Sequence, residues 1–186
     1  ASYPERYGYS AFYNQSKLAK VTIGENVSII QQYAFYKCSA LTTVTFGNSL
    51  TEIPQYAFDG CKLTAVTLPN TVTRIREYAF NENSALASAD LGNALTQIDA
   101  NAFYGCSELK SIAIPESVKI IESYAFALCG FTSITIGSGV TTIESFAFTD
   151  CSALTSVVIS ASVNKIESSA FQGCFDLNSA TFENTT

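Results

Sequence analysis

Apolar residues along the chain recur with a period of 22 or 23 residues. Ala-Phe pairs mark the period, and the eight pairs are separated by steps of 23, 23, 22, 23, 23, 22 and 23 residues. Both shorter steps lose their residue between the Phe and the next Leu-type position, which indicates a loop there. The phenylalanines of the eight pairs are Phe12, Phe35, Phe58, Phe80, Phe103, Phe126, Phe148 and Phe171.

Each unit follows the pattern Leu-x-x-Val-x-Ile-(Gly/Pro)-x-x-Val-x-x-Ile-x-x-Tyr-Ala-Phe-x-x-Cys. The Val-x-Ile part alternates apolar and polar residues, which predicts a short strand with one buried face. No unit contains a stretch long enough for an ordinary amphipathic helix, and the segment after the Phe suits a tight turn or one 3₁₀ turn. Because so short a unit cannot bury its own core, the units must stack in parallel, with each Phe filling one coil.

Composition and charge narrow the classes of function. The 186 residues are 47% hydrophobic and 14% charged, which excludes a disordered chain and disfavours a nucleic-acid binder, as does the net charge of −6. No apolar run approaches the length that spans a bilayer. The charge is uneven, because residues 1–93 sum to zero and residues 94–186 carry all of the −6. The chain contains no Met and starts at Ala1, so we expect a processed product or an excised segment. No amphipathic cap is recognisable at the C-terminus, so we expect one solenoid over residues 1–186 that is a piece of a longer protein or whose ends pair with something.

Six cysteines share one position of the repeat, three residues after the Phe, and Asn83 takes that position in one unit. The favoured interpretation is a column of small, buried, reduced side chains. The alternative is three disulfides between neighbouring units, pairing residues 38 with 61, 106 with 129 and 151 with 174. The spacing and the lack of His argue against a metal site. The cysteines are Cys38, Cys61, Cys106, Cys129, Cys151 and Cys174.

Acidic residues occupy one column in four consecutive units: Asp99, Glu122, Glu144 and Glu167. Stacked like charges repel, so this column is a candidate weak cation site or a site for a basic patch. The alternative is a solvated edge, with Lys119 and Lys165 as partial counter-charges. The chain has no His for general acid–base work and no phosphate-binding glycine loop, so no enzyme activity, catalytic residue or cofactor is predicted.

The outward positions beside the Val column form a flat face rich in Thr and Ser with few charges. One interpretation is a binding face for a protein or a glycan, and the other is that Thr and Ser simply suit exposed strand positions. Stacked Tyr residues before the Ala, such as Tyr33 and Tyr56, are further candidate contact surfaces that also cover the edge of the solenoid. The candidate binding residues of the strand face are Thr22, Thr43, Thr45, Thr67, Asp90, Ser133 and Thr135.

The whole period resembles the BspA-like leucine-rich repeat family, and the stretch "LKSIAIPESVKIIESYAFALC" of residues 109–129 shows the signature in full. The resemblance implies a leucine-rich repeat solenoid, a right-handed curved rod of about seven to eight repeats. Members of the family are typically cell-surface or secreted proteins implicated in adhesion. The resemblance therefore implies an extracellular binding module for host or matrix proteins, or for a glycan. The alternative is a passive spacer that presents another domain.

Overall fold

The computed structural model describes residues 10–183, which form a stack of short parallel strands and turns without a helix in that range. We number the coils from the Ala-Phe pairs, so that coil 1 begins at Ala11 and coil 8 at Ala170. Coils 3 and 6, which begin at Ala57 and Ala125, are the two 22-residue coils. The strands are β1 (Lys20–Thr22), β2 (Thr43–Thr45), β3 (Glu52–Ile53), β4 (Ala65–Thr67), β5 (Arg74–Ile75), β6 (Ser88–Asp90), β7 (Gln97–Ile98), β8 (Ile120–Ile121), β9 (Ser133–Ile136), β10 (Thr142–Ile143), β11 (Ser156–Ile159), β12 (Lys165–Ile166) and β13 (Ser179–Phe182).

Equivalent residues of successive coils lie beside one another. Val21 pairs with Val44 between β1 and β2, and Ile53 pairs with Ile75 between β3 and β5, always in parallel. This register brings the same side-chain type to the same face in each coil, which joins the buried columns into one core. The prediction of stacked parallel strands is therefore confirmed.

The two-residue strands at the second Ile position form a sheet that the sequence pattern did not predict. This sheet is continuous in the order β3-β5-β7-β8-β10-β12, so every step from coil 2 to coil 7 is paired. The sequence pattern predicted strands only at the Val-x-Ile position. The Val-x-x-Ile spacing has no period of two, and a two-residue strand is too short to show alternation.

The predicted Val-x-Ile strands are present in seven of the eight coils, and their sheet is interrupted. It divides into β1-β2, β4-β6 and β9-β11-β13, and Ser111–Ile114 of coil 5 forms no strand. Two of the breaks, before β4 and before β9, come directly after the shortened turns of coils 3 and 6. In coil 6 the shortened turn brings Gly130 so near coil 5 that a Cβ there would lie 2.0 Å from the Ser107 carbonyl oxygen. Two of the three breaks in this sheet thus coincide with the shortened turns. No such feature explains the break between β6 and Ser111–Ile114.

The Ala-Phe residues form the centre of the stack. All eight phenylalanine rings stack on one another, with centroids 5.2–5.6 Å apart along the whole series. The middle rings, from Phe58 to Phe148, have no exposed surface, and the alanines beside them are buried too. Burial of one such ring stabilises the fold by about 1.5–3 kcal/mol. The prediction that each coil lays its Phe on the coil before it is confirmed.

The backbone around each Ala-Phe pair alternates between two kinds of hydrogen bond. The N–H groups of Tyr33, Phe35 and Lys37 donate to carbonyl oxygens of the next coil, at 3.1, 2.9 and 2.8 Å. The N–H groups between them close tight turns to the residue three positions earlier, as Tyr36 does to Tyr33. We call this segment, from the residue before each Ala to each Cys or its equivalent, the turn edge. Bonds of the first kind cross every step from coil 1 to coil 8, including the steps into the shortened coils.

Candidate functional site

The seven candidate residues on the Val-x-Ile row are all exposed to solvent. They alternate with inward side chains such as Val44, Val66 and Ile134, which are buried in the core. We call the outward side of these strands, together with Ser111–Ile114, the strand face. The inward residues therefore anchor each strand in the core, and the Thr and Ser side chains between them face the solvent.

A first shallow groove lies at the break between β2 and β4. It has a volume of about 340 Å³ and is lined by residues of both strands, including Thr43, Thr45 and Thr67. The structure therefore brings these three predicted residues together. Thr22 lies on β1 in coil 1, next to Thr45 in the strand register.

Two further grooves lie on either side of Ser111–Ile114. The groove toward coil 4 has a volume of about 520 Å³ and includes Asp90 in its lining, and the groove toward coil 6 has about 410 Å³ and includes Ser133 and Thr135. The backbone N–H and C=O groups of Ser111–Ile114 make no hydrogen bond to any described residue. Each interruption of the sheet thus coincides with a groove in the strand face, and these grooves contain six of the seven predicted residues.

The acidic column does not behave as a row of like charges, because its members have different partners. Asp99 is only 2% exposed and forms an ion pair with Arg74, whose Nη2 lies 2.8 Å from Asp99 Oδ2. Glu122 accepts hydrogen bonds from Gln97 Nε2 at 2.8 Å and from the Ala100 N–H at 3.2 Å. Asp99 is therefore not on a solvated edge, contrary to the alternative interpretation of this column. Arg74 lies one coil earlier and two columns away, so the repeat pattern did not identify it as a partner.

The other two acidic residues lie further along the same column. Glu167 pairs with Lys165, which was a predicted counter-charge, and Glu144 lies between it and Glu122. Within residues 10–183, no three acidic, Cys or His side chains are close enough together to hold a metal ion. The geometry therefore gives no support to the cation-site hypothesis.

The six cysteines form a hydrogen-bonded column of free thiols. Each Sγ lies within hydrogen-bond distance of the carbonyl oxygen of the Phe in the previous coil, as in Cys61 to Phe35 at 3.2 Å and Cys129 to Phe103 at 3.2 Å. Burial raises the pKa of the Cys61 thiol to about 12. Such a thiol is protonated at neutral pH, so it suits a structural role better than a nucleophilic one.

Asn83 replaces Cys in coil 4 and makes the same contact with a stronger donor. Its Nδ2 donates to the Phe58 and Phe80 carbonyl oxygens at 2.8 and 3.0 Å, and its Oδ1 accepts from the Leu63 N–H at 3.1 Å. Cys and Asn therefore both bond the loop backbone from this position of the repeat.

The Tyr column has a backbone feature that the sequence analysis missed. Tyr33, Tyr56 and Tyr78 all have φ between 56° and 60°, in the left-handed region that most side chains avoid. Their rings stack with centroids 4.7 and 4.6 Å apart and are half-buried. A second left-handed column lies two residues after each Phe, and its occupants are Asn14, Lys37, Gly60, Glu82, Gly105, Leu128, Asp150 and Gly173. In the sequence, this column is marked by its three glycines and by Asn14 and Asp150, because Gly, Asn and Asp adopt the left-handed conformation most readily.

Comparison with known proteins agrees with this architecture. Among the described residues, no helix has the length and apolar character needed to cross a bilayer. The structure resembles leucine-rich repeat proteins from T. pallidum (TM-score 0.67, 24% identity, 87% of this chain and 68% of that one) and Eubacterium ventriosum (0.68, 24%, 87% and 48%). It also resembles one from Bacteroides ovatus (0.57, 22%, 95% and 58%). The chain thus spans about half of the length of two of these three proteins.

No curated protein sequence matches the chain at a significant level. The family model described as BspA type leucine rich repeat region (6 copies) matches residues 5–129 and 84–186. These matches together cover nearly the whole sequence, and they rest on the same repeat that the Phe column and the turn edge display in three dimensions. The chain therefore belongs to the BspA-type leucine-rich repeat family.

Proposed function

We propose that this chain is the binding module of an extracellular or cell-surface protein, and that its strand face attaches to host or matrix proteins. One observation supports this most strongly: the exposed Thr and Ser residues line three preformed grooves on a face with few charges. Flat, preformed surfaces bind proteins with little loss of conformational entropy. We further propose that residues 1–186 form one solenoid within a longer protein.

The charge of the strand face agrees with a protein partner. Asp90 and Glu116 are the charged residues in the grooves beside Ser111–Ile114, and the groove at β2 and β4 is lined by uncharged side chains. Protein interfaces exclude charged groups from their centres.

The test is binding of the 186-residue chain to purified matrix proteins and to host cells, measured by biolayer interferometry and flow cytometry. A face variant carries Thr43→Arg, Thr67→Arg and Thr135→Arg, which place bulky charges in two of the grooves. A matched variant carries Gln32→Arg, Ser152→Arg and Gln172→Arg, which add the same charge at exposed positions outside the strand face. We expect the chain and the matched variant to bind, and the face variant to lose at least about tenfold in affinity.

The passive spacer is the competing outcome of this test. A spacer would give no binding by the chain alone, and only neighbouring domains of a longer protein would attach to cells. Equal binding by the face variant and the matched variant would show that the chain binds through another surface. Either result would contradict the proposal.

A further inference from the structure

A polar groove opens on the turn edge of coils 2 to 4, outside the strand face. Its volume is about 550 Å³, and the residues that matter for its chemistry are Tyr36, Lys37, Asp59, Gly60, Asn81 and Glu82. No motif in the sequence marks these residues, because they fall at the two positions after the Phe that vary most between units.

The groove exists because Gly60 of coil 3 has no side chain where both neighbouring coils have a long one. Lys37, Gly60 and Glu82 occupy the same left-handed position in successive coils, so Gly60 leaves a gap between two long side chains. A Cβ on Gly60 would lie 3.3 Å from Lys37 Cγ, which shows that Lys37 borders this gap. At the preceding position, Asp59 stands where coils 2 and 5 have Tyr36 and Tyr104.

Asp59 is a buried carboxylate with one oxygen available to the groove. The residue is 6% exposed, and its Oδ1 accepts a hydrogen bond from Asn81 Nδ2 at 2.9 Å. Its Oδ2 has no hydrogen-bond partner among the described residues. Since every fully buried side-chain nitrogen or oxygen in the described part of the chain has a partner, Oδ2 must reach the surface of the groove.

The position of Asp59 is costly for folding. Burial raises the pKa of its carboxyl group to about 6, although the Asn81 hydrogen bond and the Lys37 charge act in the opposite direction. A groove that contains a carboxylate buried at a cost in desolvation free energy is typical of a functional site. The coil shows no structural need for this charge, because an amide of the same shape could keep the contact with Asn81.

The groups around the groove favour a neutral ligand that both donates and accepts hydrogen bonds. Asp59 and Glu82 supply acceptors, whereas the Lys37 ammonium and the Asn81 amide supply donors. The Lys37 Nζ lies 5.2 Å from the centre of the Tyr36 ring, so an aromatic side chain borders the same groove. An anion would meet two carboxylates, and a cation would meet Lys37. Sugar hydroxyl groups can satisfy both kinds of partner.

We propose that this groove binds a neutral sugar residue of a glycan. The Asp59 carboxylate accepts hydrogen bonds from sugar hydroxyl groups, and Lys37 and Asn81 donate to the sugar oxygens. This site does not depend on the strand face, so either binding surface can fail its test without affecting the other.

The test is a titration of the ¹⁵N-labelled 186-residue chain with glucose, galactose, mannose and N-acetylglucosamine, followed by backbone amide shifts. We expect at least one sugar to shift the amides of Lys37, Gly60 and Glu82 in a saturable way. Methylguanidinium chloride at the same concentration serves as the cationic probe. We expect it to cause no saturable shift at these amides.

Asp59→Asn keeps the shape of the side chain and removes its charge. We expect it to weaken sugar binding at least about tenfold, which is the loss of one charge-assisted hydrogen bond. Asp150→Asn makes the same change at an exposed position on the turn edge of coil 7, and we expect it to bind like the parent chain. Spectra and unfolding curves of both variants show whether they are folded.

Three results would overturn the proposal. The first is the absence of a saturable shift with any of the four sugars. The second is unchanged sugar binding by the folded Asp59→Asn variant. The third is a saturable shift at the same amides with methylguanidinium alone, which would make the groove a site for the basic side chains of a protein.

Discussion

The turn edge and the strand face are built from the same coils, but their backbones are paired very differently. Hydrogen bonds of the turn edge cross all seven steps between the eight coils. Strand pairing of the Val-x-Ile row crosses four steps, between β1 and β2, β4 and β6, β9 and β11, and β11 and β13. The turn edge, together with the sheet from β3 to β12, therefore holds the stack together, and the strand face is left to vary and to form grooves.

The buried rings give the largest expected effect of this difference. Phe103→Ala opens a cavity in a column with no exposed surface, so we expect a loss of about 3–5 kcal/mol in the free energy of unfolding. Thr67→Ala on the strand face should change it by less than about 0.5 kcal/mol. Urea unfolding of both variants measures the difference. Similar losses in the two variants would remove the distinction between the two regions.

Substitutions at Asn83 measure how much the side chains that bond to the turn edge contribute to stability. Asn83→Ala leaves the buried Leu63 N–H without a partner and the Phe58 carbonyl with only the longer bond from the Cys61 N–H, so we expect a loss of about 2–4 kcal/mol. Asn83→Cys introduces the residue that six other coils use, and we expect about half of that loss or less. If Cys and Ala destabilise the chain equally in urea unfolding, the thiol-to-carbonyl contact contributes nothing to stability.

Asp59 lies on the turn edge, and its raised pKa makes the stability of the chain depend on pH. Its folded pKa of about 6 lies above the ordinary 3.8, so the folded chain binds the proton more tightly than the unfolded chain. The chain therefore gains stability as the pH falls from about 7 to about 4. Asp59→Asn should stabilise it by roughly 1–2 kcal/mol at pH 7.5 and lose this advantage by pH 4. A variant that is less stable than the parent at pH 7.5 would contradict this assignment.

The smallest expected effect concerns the left-handed column of the turn edge. A Cβ on Gly105 would meet its nearest atoms at an ordinary 3.7 Å, so Gly105→Ala adds backbone strain at φ 74° without a clash. We expect a loss of about 1 kcal/mol. Leu128→Gly, at the same position of coil 6, should instead raise the free energy of unfolding. Equal melting temperatures for both variants and the parent chain would show that the left-handed geometry carries no strain.

Much of the fold could be predicted because each coil repeats the same residue pattern and the same structure. The Phe column, the parallel register and the exchange of Asn83 for Cys all follow from residues that recur at one spacing, and repetition itself shows that they are stacked. The exposure of Thr43, Thr67 and Thr135 follows from the alternation beside the Val column in the same way.

The features that were missed lie where one coil differs from the others. The pair of Arg74 and Asp99 joins two coils through side chains that occur once, and Asp59 matters because Tyr36 and Asn81 flank it. The interruption at Ser111–Ile114 could not be predicted either, because the sequence of residues 109–129 shows the complete signature. A repeat pattern describes the residues that the coils share and omits such differences, although the candidate sites depend on them.

The most direct test is amide hydrogen exchange of the native chain, read residue by residue by NMR. We predict that the amide of Phe103, bonded to the Ala125 carbonyl at 2.8 Å in the core, exchanges only by global unfolding. We predict that the amides of Ile112 and Ile114 exchange at least about 1,000-fold faster than that of Phe103, through local motion. Equal protection of these amides would mean that the strand face is paired as continuously as the turn edge, which would contradict the division of the coils into a bonded edge and an interrupted face.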